Sequence, residues 1–305
     1  MKRPKRLKPG DKVGVVAPAG FVDPVALKKG LQSIERMGFY PVLSEHALAR
    51  DRYLAGTDKQ RAQDLNNLFG DPEIRGIFCA RGGYGSNRVL SGLDSSVIRQ
   101  NPKVFLGSSD ITLLILYLVQ QCSLVVFHGP MVAGNFGRYS MLKSKRQFKE
   151  ILLGNRLGKR LTAKGALVFR PGTAEGKVIG GCLSLICRSL GTPWEIKTRN
   201  KILFLEDVNE PLYKIDGMLF HLKQAGKFKG IRGVVFGEMV NCQSTRKEAG
   251  SFEKILRDVF VNSSFPVLTN FPSGHGREML TLPMGVEARL DVESKTLEFE
   301  NCGVL

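Results

Sequence analysis

Short β-rich runs alternate with stretches of helical periodicity through the first half of the chain, and this alternation limits the fold more than any other feature. The runs include Val13 to Ala17, Gly76 to Ala80, Val104 to Leu106 and Leu124 to Phe127, with helical patterns at Val25 to Met37 and Ile111 to Val119. Such alternation predicts an α/β fold with a parallel sheet covered by helices on both faces. The second half opens with Val178 to Gly181 and a helix through Leu190. The strand Ile202 to Leu205, a helix from about Pro211 to Lys223 and the strand Gly233 to Phe236 follow, and short β-like runs from Met279 to Phe299 close the chain. At 305 residues, two domains are expected rather than one. The basic, Gly- and Pro-bearing stretch Asn155 to Lys177 has weak periodicity and is the expected connection. The organisation read from this is an N-terminal α/β domain over 1–155, a linker over 156–177 and a C-terminal α/β domain over 178–305.

Composition narrows the function classes. The hydrophobic fraction of 43% is ordinary, and no apolar run approaches the length of about 20 residues that a membrane span needs. No membrane partner is expected. Met1 to Lys8 has the charge of a signal-peptide start, but Val13 to Pro18 is too short and turn-broken to follow as its apolar core, so it reads as the first strand. Six cysteines lie mostly in apolar segments, without zinc-type spacing or the density of a disulfide scaffold. Reduced, buried thiols and a cytoplasmic location fit that usage. The formal charge of +17 admits nucleic acid, an anionic surface or an acidic small substrate as partner. Its basic clusters carry few aromatics to stack bases, so no nucleic acid is expected.

In open α/β sheets, ligands gather beyond the carboxyl ends of the strands. Val104 to Gly107 leads there to Ser108-Ser109-Asp110 and then to an apolar helical run. A strand-turn-helix corner of this kind can present a nucleophilic serine, and Ser and Asp before a helix also make an ordinary N-cap. Taken alone, the segment favours the cap. Arg81-Gly82-Gly83-Tyr84-Gly85 follows another strand, where glycines can turn main-chain N–H groups toward a bound oxygen or simply form a tight turn. The dinucleotide fingerprint and the Walker motif are both missing, and no cofactor or metal is expected. Glu206 ends a strand, where it can accept the Nδ1 proton of a histidine or cap the next helix. His275 lies in the loop-like Asn270 to Gly276 and is the best general-base candidate, and His128, which follows a strand, is a candidate to line the same crevice. His46 and His221 read as surface or helix-face residues.

The sequence resembles the LD-carboxypeptidases, or muramoyltetrapeptide carboxypeptidases, serine peptidases related to the microcin C self-immunity peptidases. The resemblance runs through nearly the whole chain. It is carried by Lys8-Pro9-Gly10-Asp11 with Val15 to Pro18, Tyr53 to Asp58 with Arg61-Ala62 and Asp64-Leu65, and Ala80 to Gly85. Gly107 to Thr112, His128 to Met131, Gly191-Thr192-Pro193, Leu205-Glu206-Asp207 and Gly274-His275 continue it in order. It implies Ser109 as nucleophile, with Glu206 and His275 completing a triad, and Ser108 as the variable position. Main-chain N–H groups of Gly83 and Asp110 would form the oxyanion hole, and Arg81, Tyr84 and His128 are candidate substrate contacts. The implied fold puts the nucleophile on the larger N-terminal domain and Glu206 and His275 on the smaller C-terminal one, with the active site in the crevice between.

The implied reaction is hydrolysis of the bond between a diamino acid and the terminal D-alanine of murein tetrapeptides, anionic peptides, by a cytoplasmic homodimer. One departure stands out: many members have Gly-Gly-Asn-Leu where this chain has Gly180-Gly181-Cys182-Leu183. That change bears on the substrate more than on the chemistry. Two alternatives remain at this level. One is the same triad acting on a peptide-nucleotide antibiotic, and the other is a catalytically inactive protein that binds polyanions through its basic surface.

Overall fold

The computed structural model describes residues 1–137, 142–154, 159–242 and 250–305. Five strands of the first half are β1 (Lys12–Val16), β2 (Tyr40–Leu43), β3 (Ile74–Cys79), β4 (Val104–Gly107) and β5 (Val126–His128). They form one parallel sheet in the order β5-β4-β3-β1-β2. The helices among and after them are α1 (Pro24–Arg36), α2 (Asp58–Gly70), α3 (Ser95–Gln100), α4 (Thr112–Gln120) and α5 (Leu142–Leu152). Local chemistry sets several starts. Asp23 accepts a hydrogen bond from the Ala26 N–H ahead of α1, with Pro24 in the first turn. Thr57 and Gln60 cap α2 reciprocally.

The second half contributes β6 (Arg160–Thr162), β7 (Leu167–Arg170), β8 (Thr173–Cys182), β9 (Lys201–Val208), β10 (Gly233–Val240), β11 (Val267–Thr269), β12 (Leu282–Met284), β13 (Glu287–Asp291) and β14 (Thr296–Phe299). Its helices are α6 (Leu183–Ser189), α7 (Leu212–Gln224) and α8 (Phe252–Val259). The second sheet runs β6-β14-β13-β8-β9-β10-β11-β7, parallel from β8 to β11 and antiparallel at both flanks. The fold is thus the expected α/β architecture with two sheets.

Two features depart from the expected organisation. The boundary near 155 falls at residues 155–158, outside the described residues. Beyond it, the segment read as linker is built into the second sheet as β6, β7 and the first half of β8. It resembled a connection because β6 and β7 are short strands at the sheet edges, with Leu167 and Val168 exposed, which blurs the period-2 pattern. Nor does the chain after 178 stay in the second sheet: β12 returns to pair antiparallel with β5. The last residues then pack with the first half, where the Leu305 N–H donates to the Pro4 carbonyl at 2.9 Å.

Helix α4 joins the two halves. Its residues Thr112 to Val119 are all buried, as an apolar helix without a polar face must be. The helix packs on β8 and α6 of the second half. One hydrophobic core runs from Ile77 and Phe105 through Ile115 to Ile179 and Leu203. A second lies under α1 and α5, around Val13, Val15, Phe78 and Phe148. The strand ends of both sheets are therefore held together by apolar packing. Among the described residues, no helix is long and apolar enough to cross a membrane.

Candidate active site

Ser109 stands at the corner between β4 and α4. Ser108 is extended, Ser109 adopts φ 60°, and a single 3₁₀ turn leads into the helix. A serine held in the left-handed region costs about 1–3 kcal/mol. Strain at this position matches a corner that thrusts a side chain outward. The two serines differ in access: Ser108 is buried at 3% exposure, whereas Ser109 is half-buried. An N-cap role is not seen, since neither Ser108 nor Ile111 makes a side-chain cap.

The glycine turn after β3 lies against this corner, with Gly82 as the contact. A Cβ built there would sit 2.9 Å from Ser109 Cβ, 3.1 Å from its Oγ and 3.2 Å from the Asp110 nitrogen. The main chain of the turn thus comes within reach of the serine oxygen in a way that only glycine permits. Gly83, at φ 102°, faces Gly20 and is exposed. Gly83, the glycine that the resemblance implies as oxyanion donor, is the residue after Gly82 in the same turn.

The Asp110 side chain is buried and turned away from solvent. Its Oδ2 accepts from the Ser86 N–H at 2.7 Å, and the Ser86 hydroxyl donates to the Asp110 carbonyl. Burial raises its pKa against the pull of the Ser86 and Gly85 hydrogen bonds. These bonds tie the end of the glycine turn to the serine corner. Arg61, 1% exposed, braces the turn from beneath: its Nη1 donates to the carbonyls of Pro18 at 2.8 Å and Gly85 at 2.9 Å, and Nη2 to Asp58. Asp58 also holds Arg88. The Asp58 and Arg61 positions that mark the resemblance thus position the turn.

Glu206 lies near the end of β9, fully buried, and His275 comes to it from the loop after β11. His275 Nδ1 is 2.6 Å from Glu206 Oε2. The loop can close this tightly because of Gly274, at φ 137°, where a Cβ would lie 3.0 Å from Glu206 Oε2. Backbone bonds from Phe271 to Phe236 and from Glu238 to Ser273 hold the loop on β10. Burial would push the Glu206 pKa up, but the charge of His275, the nearby His128 ring and the hydrogen bond with His275 take it down to about 2. Burial likewise opposes charge on His275, and Glu206 with Asp207 outweighs it, so the His275 pKa is raised. The side chain of His275 keeps 22% exposure, enough to face a ligand.

The second sheet meets the serine corner directly. The Cys182 N–H donates to Thr112 Oγ1 at 3.0 Å, joining the end of β8 to the first turn of α4. Cys182 is the position at which the resemblance leads one to expect asparagine. Its thiol lies 3.2 Å from Ser184 Oγ and 3.6 Å from Asp207 Oδ1. Burial, then the charges of Glu206 and Asp207, push its pKa well up, so it is a packed thiol and a poor nucleophile.

The remaining sequence candidates fall in different places. Arg81 is exposed, donating from Nη1 to the Phe21 carbonyl at 2.7 Å. Tyr84, 39% exposed, packs edge-on against Tyr53 with ring centroids 5.6 Å apart. His128 is fully buried, behind Glu206 and away from open space. His46 is bound by its Nδ1 to Asp64 at 2.8 Å. Among the described residues, no group of three or more His, Cys, Asp or Glu side chains is arranged to hold a metal.

Both halves of the chain have counterparts in known proteins. Residues 13–129 match the LD-carboxypeptidase N-terminal domain and residues 175–290 match the LD-carboxypeptidase C-terminal domain. The chain is 37% identical over 300 residues to a probable murein peptide carboxypeptidase of Bacillus subtilis, covering 98% of this chain and 94% of that one. It is 33% identical over 290 residues to a murein tetrapeptide carboxypeptidase of Pseudomonas aeruginosa, covering 92% and 93%. A solved structure of MccF in complex with glutamyl sulfamoyl guanosine superimposes with a TM-score of 0.91 at 25% identity, covering 97% of this chain and 98% of that one.

Proposed function

The chain belongs to the LD-carboxypeptidase family, and from that membership and the geometry of the site we propose that it releases the terminal D-alanine of murein tetrapeptides through Ser109, His275 and Glu206. It is a serine-type carboxypeptidase of murein peptides. The observation that carries the assignment of residues is the 2.6 Å pair of His275 Nδ1 and Glu206 Oε2, which leaves Nε2 as the free end of the ring in the half of the molecule that meets the serine corner.

In the proposed reaction, His275 Nε2 takes the Ser109 proton as Oγ attacks the scissile carbonyl carbon. The oxyanion is held by main-chain N–H groups of Asp110 and of the Gly82-Gly83 turn. Glu206 fixes the His275 tautomer and balances the imidazolium that forms. His275 then protonates the departing D-alanine amine, and water, deprotonated by the same ring, releases the acyl chain. Arg81 and Tyr84, exposed residues of the turn, are the proposed contacts for the anionic peptide. The surplus of positive charge supports steering of such a substrate, an effect that weakens as salt rises.

A methyl at Gly82 tests the oxyanion arm. The Gly82 φ is outside the left-handed region, so Gly82→Ala introduces bulk without backbone strain. The added carbon would crowd Ser109 Oγ and the Asp110 N–H. Loss of one oxyanion donor costs about 10²–10³ in kcat. A fall of that size in kcat for D-alanine release is the expected outcome, with a lowered thermal midpoint because a carbon 2.9 Å from Ser109 Cβ forces the corner to shift.

The likeness to MccF favours a second reading, in which the same triad opens an amide of a peptide-nucleotide. Assaying D-alanine release from a tetrapeptide beside hydrolysis of an aminoacyl sulfamoyl nucleoside separates the two. A kcat/KM higher for the tetrapeptide supports the carboxypeptidase, and the reverse order supports the immunity-type activity. A cytoplasmic setting and a homodimer belong to the same proposal. Buried cysteine thiols support the first and the family resemblance the second; sedimentation checks the dimer.

A further inference from the structure

Glu206 is approached by two histidines, one of which the reaction above does not use. His128 ends β5 of the first sheet, whereas Glu206 lies near the end of β9 in the second, and both side chains are completely buried. His128 Nε2 lies 3.8 Å from Glu206 Oε1. Among the described residues, neither atom has a hydrogen-bond partner. Buried donors and acceptors without partners are rare because each gives up its water for nothing. Here two such atoms face each other across the junction between the sheets.

The His128 ring is itself fixed. It stands edge-on to Phe204 with centroids 5.0 Å apart, and its backbone pairs with Leu282 of β12. Its Nδ1 is 3.4 Å from Ser273 Oγ, a hydroxyl that also donates to the Leu280 carbonyl at 2.8 Å. The ionised Glu206 carboxylate can only accept, so the ring nitrogen that faces it, Nε2, is the N–H end. Ser273 belongs to the loop that delivers His275. The loop, the carboxylate and the end of β5 thus meet in one buried contact.

We propose that His128 is a positioning residue whose Nε2–H holds Glu206 Oε1 across the junction of the two sheets, keeping Oε2 on His275 and tempering the charge that Glu206 presents to it. Closure to a hydrogen bond needs the pair to approach by about 0.8 Å, a small shift at a junction between sheets. The inference rests on Glu206 being the carboxylate of the triad. The other titratable groups around Glu206 and His275 are Asp207 on β9, Glu238 on β10 and Cys182 on β8.

The test compares D-alanine release by His128→Leu, His128→Gln and His128→Asn over a range of pH. Leucine removes the donor, and Glu206 then presents its full charge to the His275 imidazolium. The rising limb of kcat/KM should therefore move to higher pH, with kcat down by about tenfold or more. Glutamine can carry an amide N–H to the Nε2 position, and should return both limb and kcat to near wild type. Asparagine is too short to reach Oε1 and should behave like leucine.

A His128→Leu protein with wild-type kcat and an unmoved limb overturns the proposal. So does a loss common to all three variants that tracks their thermal midpoints while the limb stays in place. Should His128→Leu not fold, the Gln and Asn pair decides: Gln active and Asn impaired supports the proposal, and equal activities overturn it. Glu206→Gln on the same substrate separates this from its premise. Full activity there overturns the triad and this role together, whereas an inactive Glu206→Gln beside unaffected His128 variants overturns the role of His128 alone.

Discussion

Ser109→Ala is expected to lower kcat for D-alanine release by about 10⁶, while Ser108→Ala keeps its activity. The nucleophile has no substitute in the site, so what remains in Ser109→Ala is the effect of binding and oxyanion contacts, about 10³–10⁴ over water in comparable triads. The neighbouring serine provides the control. Ser108 is buried and extended at the end of β4, and its replacement should cost about 1 kcal/mol of stability and little rate. Steady-state release of D-alanine, with thermal midpoints measured on the same samples, checks both. An active Ser109→Ala would remove the serine from the mechanism.

Glu206→Gln should lower kcat by about 10⁴ and also move the pH dependence. In the native site, burial disfavours charge on His275, but Glu206 and then Asp207 more than offset it and raise its pKa. The base works when unprotonated, so kcat/KM should rise with pH through a midpoint above the ordinary histidine value of about 6.5. With the carboxylate replaced by a neutral amide, burial becomes the dominant influence, and the midpoint should fall to lower pH. Glu206 itself stays ionised across this range, its pKa being held at about 2. A Glu206→Gln enzyme with an unmoved limb would mean that His275 is not the titrating base.

What the sequence made legible divides along the range of the interactions. The strand-turn-helix corner at Ser109 is local, written in Val104 to Thr112, and the structure bears out its strand, turn and helix. The first strand was also readable, since Lys12–Val16 is an apolar run bounded by turns. Edge strands were not: β6 and β7 are short, and the consecutive Leu167 and Val168 of β7 are both exposed, so their pattern matched a linker. The return of β12 to the first sheet was equally hidden, because antiparallel pairing with β5 leaves no mark within Leu282-Pro283-Met284 itself.

At the site, residue types were readable and contacts were not. Glu206 and His275 are 69 positions apart, and only the loop through Gly274 puts them at 2.6 Å. Gly82 and Gly83 are indistinguishable as letters, yet the turn aims one at Ser109 and the other at Gly20. His128 read as a residue that opens on the crevice, and its burial behind Glu206 follows from packing between two sheets that no single segment encodes. Asp58 and Arg61 were visible as a pattern without a role, and their partners come from two other segments, Pro18 from one and Gly85 with Arg88 from the other.

The most direct test of the account is to react the wild-type protein with a fluorophosphonate and locate the adduct by peptide mass mapping. The predicted result is a single modification on Ser109, suppressed by murein tetrapeptide and slowed strongly in Glu206→Gln. An adduct on Ser108, or no adduct on a folded protein that releases D-alanine, would contradict it.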